Sequence, residues 1–134
     1  MVLIGRVINE GKAEGEAVVS QLPFSFLGDF EVSTGKIMTK GHDCEGQSIK
    51  GKIFIFPTGK GSTAGPNVAF IGKQLGTIPA GMILIEAEPV IAMVGIMNDI
   101  PMVHRLDKNP LQEIRTGDYV TLDAYTGKVL VTRR

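Results

Sequence analysis

The chain of 134 residues has one cysteine, no tryptophan and no surplus of either charge. A lone Cys44 excludes an internal disulfide. It also excludes any zinc site or iron–sulfur cluster built from several cysteines of this chain. Fourteen basic and fourteen acidic side chains cancel, so no summed field draws the protein to a polyanion or an anionic membrane surface. Basic residues are not interleaved with aromatics, so nucleic acid is not an expected partner. The longest apolar run, residues 90–97, is far shorter than the roughly 20 residues that span a bilayer. The opening Met1-Val2-Leu3-Ile4-Gly5-Arg6 lacks a basic leader, so no signal peptide is expected. These absences lead to the expectation of one soluble domain over residues 1–134, placed in the cytoplasm. A chain near this size buries roughly two thirds of its unfolded surface, enough for a core without staples.

What the chain does have is glycine. There are 17, and they fall between short apolar runs, where they mark turns rather than a linker. Residues 2–8 are apolar and largely β-branched, and Glu16-Ala17-Val18-Val19-Ser20 is a second short strand pattern. Phe24, Phe26 and Phe30, with Leu27 between them, read as a core patch. Lys52-Ile53-Phe54-Ile55-Phe56 is a dense strand signal. Beyond it, Val68, Ile71 and Leu75 form a helical stripe that Ser62 or Thr63 could cap, with Pro66 in its first turn. Residues 82–86 read as a strand, and residues 89–98 as a Pro-initiated helix packed through Val90, Ile91, Val94 and Met97. Residues 101–104 form a short strand, and Asn109-Pro110 marks a loop. A hairpin over residues 119–123 and 128–132 closes the chain. The order is β at both ends with β-α-β-α-β between, which predicts a parallel βαβ core carrying extra antiparallel strands.

In such folds ligands bind where strand ends meet helix starts. Attention therefore falls on Thr58-Gly59-Lys60-Gly61-Ser62-Thr63-Ala64-Gly65-Pro66. A Gly-rich turn between a buried strand and a helix leaves amides unpaired. With the helix dipole these favour a carboxylate, a phosphate or a developing oxyanion. Gly59 and Gly61 permit close approach, and Ser62 sits at the helix mouth. The loop is not a nucleotide P-loop, because Gly61 separates Lys60 from Ser62 and position 55 is Ile. A tight turn with a serine cap is the plain alternative. His42, in Lys40-Gly41-His42-Asp43-Cys44-Glu45, reads as part of a solvated loop, since adjacent residues of an extended segment rarely converge on one ion. His104 reads as a surface or interface residue. Asp99, Asp107, Asp118 and Asp123 read as turn formers.

The string Gly59-Lys60-Gly61-Ser62-Thr63-Ala64-Gly65-Pro66, placed after Lys52-Ile53-Phe54-Ile55-Phe56-Pro57, resembles the signature of the aconitase X family, in its small-subunit, swivelling-domain form. His42 with Gly46-Gln47-Ser48-Ile49-Lys50-Gly51-Lys52, the stretch 81–85 with Pro89, and Ile114-Arg115-Thr116-Gly117-Asp118-Tyr119-Val120 fit the same pattern. So do Asp123, Gly127 and Val129. One departure is Asp43-Cys44 after His42, where Pro-Leu is expected. The resemblance implies a swivelling β/β/α domain and a hydro-lyase split over two chains in a heterodimer. The large partner would hold a [4Fe-4S] cluster through its own cysteines, with no cofactor or metal on this chain. Ser62 is implied as the proton acceptor, and Gly59, Gly61 and Thr63 as substrate contacts. The implied reaction is dehydration of (R)-5-phosphomevalonate, a small phosphorylated hydroxy acid, to trans-anhydromevalonate 5-phosphate in an archaeal isoprenoid route. Dehydration of cis-3-hydroxy-L-proline is the alternative within the family. Outside it stand a phosphate carrier using His42 and a non-catalytic binding module.

Overall fold

The computed structural model describes residues 1–60 and 62–133. The apolar start makes two strands, β1 (Val2–Ile4) and β2 (Arg6–Asn9), broken at Gly5. A Cβ at Gly5 would lie 2.7 Å from the His104 carbonyl oxygen, so glycine is what lets the chain cross there from one sheet to the other. β3 (Lys12–Val19) makes a similar crossing without a break. Its residues 12–16 pair antiparallel with β9 (Tyr119–Asp123), and residues 17–19 pair parallel with β6 (Ile53–Phe56). Between β3 and β6 lie the single turn α1 (Phe26–Asp29) and a small ribbon of β4 (Phe30–Glu31) with β5 (Lys36–Ile37). None of these three was evident in the sequence.

After β6 the chain alternates as expected through α2 (Gly65–Leu75), β7 (Gly81–Leu84), α3 (Pro89–Asn98) and β8 (Met102–His104). Strands β3, β6, β7 and β8 run parallel, and β2 closes that edge antiparallel to β8. On the other side β9, β10 (Lys128–Thr132) and β1 form an antiparallel set. The Asn109-Pro110 pair opens a short helix, α4 (Pro110–Glu113), rather than a loop. Asn109 accepts from the Leu111 amide at 3.0 Å, the work of an N-cap ahead of a first-turn proline.

Alternation along the parallel strands builds two cores. Phe54, Phe56, Met82, Leu84 and Met102 face the helices, together with Phe24, Phe26 and Phe30. Ile53, Ile55, Ile83 and Val103 face the antiparallel strands and meet Leu3, Val120, Leu122 and Val129. The strands are buried on both faces, as parallel strands are. The fold is thus a β/β/α arrangement of the swivelling type.

The helices pack differently from the sequence expectation. In α2 the buried face is made of Gly65, Pro66, Ala69 and Gly72, while Ile71 and Leu75 stand 51% and 56% exposed. The reason is clearance. A Cβ at Gly72 would come within 3.0 Å of the Phe30 ring and 3.1 Å of Ile78, so the helix lies too close for large residues on that face. In α3, Ile91 and Val94 are buried, but Met97 points outward. Leu27 is also exposed, because non-helical backbone at Leu27 and Gly28 turns it away from the phenylalanine cluster.

Candidate functional site at the carboxyl edge of the parallel strands

Because β3, β6, β7 and β8 run the same way, their following loops gather at one edge of the sheet. The loop after β6 is tied down at its start. The Phe24 amide donates to the Thr58 carbonyl at 3.1 Å, and the Lys60 amide donates to the Phe24 carbonyl at 3.2 Å, so Phe24 and Gly59 pair as in a strand. The amides of Ile85 and Glu86 both donate to the Pro57 carbonyl at 3.1 Å. Gly59 lies against Glu88, where a Cβ would overlap the carboxylate and come within 2.9 Å of the Ile91 Cβ. Glycine at 59 is required by that contact, not by an unusual φ. Gly61, the other glycine singled out, lies outside the described residues.

Neither Ser62 nor Thr63 caps α2. The N-cap is Ala64, which offers no side-chain bond. The Ser62 carbonyl instead accepts from the Gly65 amide at 2.9 Å in a turn leading into the helix. The Ser62 side chain is half-buried, Thr63 is exposed, and the Ser62 hydroxyl has no hydrogen-bond partner among the described residues. The amides of Ser62, Thr63 and Ala64 likewise have no acceptor there. Free N–H groups at the positive end of a helix, beside a free hydroxyl, can hold an anion or stabilise an alkoxide.

Lys60 extends the site sideways. Its Nζ lies 2.8 Å from Oδ2 of Asp29, a carboxylate that is almost wholly buried. Asp29 also accepts from the Thr39 hydroxyl and, at 2.9 Å, from the Ser25 amide. Burial alone would raise this carboxyl. The bonds from Lys60, Thr39 and Ser25 outweigh that and hold it below its ordinary value. The ion pair therefore fixes the loop after β6 to the segment around α1 and β5.

His42 is not solvated. It is 7% exposed, folded in beside the end of β3. Its Nδ1 accepts from the Cys44 amide at 3.1 Å and lies 3.1 Å from Asp43 Oδ1. Asp43 accepts from the Ser20 hydroxyl at 2.8 Å and the Gln21 amide at 2.6 Å, which joins this loop to the carboxyl end of β3. The candidate donors of His42, Asp43 and Cys44 fall within 4.8 Å of one another, closer than their adjacency suggested. They are nonetheless engaged. The Cys44 thiol donates to the Val19 carbonyl at 3.2 Å, and burial, with Asp43 beside it, pushes the thiol up to about 11.

His104 ends β8 and is buried rather than at the surface. Its Nδ1 accepts from the Ala87 amide at 2.9 Å. Desolvation lowers its pKa, against the pull of Glu86, which fits a neutral ring. Asp99 ends α3 at a φ of 53°, and Asp118 and Asp123 accept from the Arg115 and Tyr125 amides in turns. Asp107 instead ties its segment to β1, accepting from the Ile4 amide and donating its own amide to the Ile4 carbonyl. The residues missed from the sequence are the Asp29–Lys60 pair and the burial of His42. Both depend on segments far apart in the chain, and no local pattern marks them.

A β/β/α domain with a Gly-rich loop between β6 and α2 has the architecture of a swivelling domain. The family model described as the aconitase X swivel domain matches residues 2–131, and the chain belongs to that family. It is 45% identical over 127 residues to the phosphomevalonate dehydratase small subunit of Methanocella arvoryzae, covering 95% of this chain and 96% of that one. It is 43% identical over 134 residues to the protein of the same name from Methanocaldococcus jannaschii, covering all of both chains. Among solved structures, a chain of Thermococcus kodakaraensis aconitase X, in the holo form, superposes with a TM-score of 0.93 at 43% identity and 99% coverage of each chain.

Proposed function

We propose that this chain, as one swivelling domain over residues 1–134, is the small subunit of a two-chain hydro-lyase in the cytoplasm. Its reaction would be dehydration of (R)-5-phosphomevalonate to trans-anhydromevalonate 5-phosphate. The observation that carries this reading is 41–45% identity, over nearly the whole chain, to relatives that share one name. Their designation as small subunits implies a large one. An apolar face on the two helices next to the site supports such a partner. Phe70, Ile71 and Leu75 on α2 and Met93, Ile96 and Met97 on α3 are each about half exposed.

A [4Fe-4S] cluster, if the large subunit holds one, supplies a Lewis acid for the leaving hydroxyl. This chain's part is proton transfer. Ser62 Oγ takes a proton from the carbon next to the substrate carboxylate. A serine hydroxyl is a weak base in water, so the alkoxide form must be stabilised where it stands. The amides of Ser62, Thr63 and Ala64, unpaired among the described residues, and the first turn of α2 can do this. Gly59 and Thr63 are assigned to substrate contact in the same reading, and Gly59 holds the loop against Glu88.

The test is reconstitution. Co-purified with its large subunit, the chain should support dehydration of (R)-5-phosphomevalonate, and neither chain should do so alone. Turnover of cis-3-hydroxy-L-proline instead would move the assignment within the family. Turnover of neither, with an intact cluster on the partner, would overturn it.

A further inference from the structure

The proton transfer described above makes no use of Asp29, the last residue of α1. It is 3% exposed, deep for a carboxylate. Every polar atom it has is engaged. Its amide donates to the Ser25 carbonyl at 3.1 Å, and its carbonyl accepts from the Met38 amide at 2.9 Å. One carboxylate oxygen accepts from the Thr39 hydroxyl. The other accepts from the Ser25 amide at 2.9 Å and lies 2.8 Å from the Lys60 ammonium. A buried ion pair is often no more stabilising than apolar side chains of similar volume, because desolvation offsets its attraction. What this one does supply is a fixed place for the chain around Lys60.

That place is set from a single segment, residues 24–30, which touches both sides of the Ser62 loop. On the strand side Phe24, embedded among Phe26, Phe54 and Phe56, pairs with Gly59, and Asp29 holds Lys60. On the helix side the Phe30 ring lies against α2 at Gly72, where an added Cβ would come within 3.0 Å of it. Among the described residues from 58 to 64, Lys60 is the one whose side chain is bonded to the rest of the chain. It is the last such tie before Ser62, whose Cα is two steps on and therefore at most about 7.6 Å away. A displacement of about 1 Å at a reacting group can cost on the order of 10²-fold in rate.

We propose that Asp29 is a positioning residue for the proton transfer, setting the place of Ser62 through its bond to Lys60. This rests on the reading of Ser62 as the base of a phosphomevalonate dehydratase, and the tests separate the two. Asp29→Asn keeps a side-chain acceptor and loses the charge that holds Lys60. In the reconstituted pair it should lower kcat for (R)-5-phosphomevalonate by about 10- to 100-fold and leave KM within about threefold. Lys60→Met should do the same, and the double variant should be no worse than either single one, because all three remove one tie. Lys60→Arg, which can still pair with the carboxylate, should keep at least about a third of the wild-type kcat. Lys60→Met, at a half-exposed side chain, carries the test if Asp29→Asn does not fold. A second readout needs no turnover. On the full-length chain the Lys60 amide, bonded to the Phe24 carbonyl at 3.2 Å, should exchange its proton at least about tenfold faster in either single variant, with the amides of β6 and β7 unchanged. Single-variant kcat values within about threefold of wild type, or losses that multiply in the double variant, would overturn the proposal. A rise in KM confined to Lys60→Met would make Lys60 a substrate contact and overturn it as well. A wild-type pair inactive on phosphomevalonate would overturn the dehydratase reading instead. The exchange rate of the Lys60 amide would then still decide, since an unchanged rate in both variants means that Asp29 does not hold the loop.

Discussion

Helices α2 and α3 occupy equivalent places, each leaving the same edge of the parallel sheet with a proline in its first turn, yet their starts are opposite in kind. The start of α3 is closed. Glu88 is its N-cap, and the carboxylate accepts from Val90 at 2.9 Å and Ile91 at 2.7 Å. The start of α2 is open, with alanine at the N-cap position and the amides ahead of it unpaired among the described residues. One crossover helix thus carries an internal anion at its positive end, and the other leaves that end open to the alkoxide proposed above. The two ends are also joined, because the loop leading to α2 lies on the Glu88 side chain through Gly59.

That contrast can be broken or sharpened one residue at a time. Gly59→Ala places a methyl group on the Glu88 carboxylate and should destabilise the chain by about 1–3 kcal/mol, measured by chemical denaturation, with activity of the pair falling as the loop lifts. Glu88→Ala should open the start of α3 and remove about 1–2 kcal/mol of stability, with the active loop disturbed less than by the glycine change. Ala64→Asp runs the other way. It supplies the missing cap to α2, so it should raise stability by about 1 kcal/mol while lowering kcat, because its carboxylate competes for the free amides. A variant that gained stability and kept full turnover would mean those amides have no part in the reaction. Thr63→Val should do least. Its side chain is exposed and makes no cap, so stability should stay within about 0.5 kcal/mol and turnover within a few-fold of wild type.

The parts of the fold legible in the sequence are those fixed by neighbours in the chain. α3 begins and ends where proline, apolar spacing and Asp99 place it, and the closing hairpin keeps its register around a glycine of positive φ at 127. What escaped depends on distant partners. The break between β1 and β2 follows from the approach of His104 to Gly5, and the inverted packing of α2 follows from Phe30 and Ile78 against Gly72. In α4 the signal was present and misread, since Asn followed by Pro starts a helix as readily as it marks a loop. The Gly-rich loop and Ser62 could be picked out because strand, glycines and helix follow one another directly. The burial of His42 could not, because Val19, Ser20 and Gln21 hold its loop from more than twenty residues away.

The central claim, that the open helix start exists to serve Ser62 as a base, is tested most directly by the kcat of Ser62→Ala in the reconstituted pair, with the partner's cluster quantified in the same sample. Loss of a general base lowers rates by about 10²–10⁴, so the account predicts at least about a hundredfold fall in kcat with complex and cluster intact. Retention of more than about a tenth of the wild-type rate, against that expected loss, would place the base elsewhere and contradict the account.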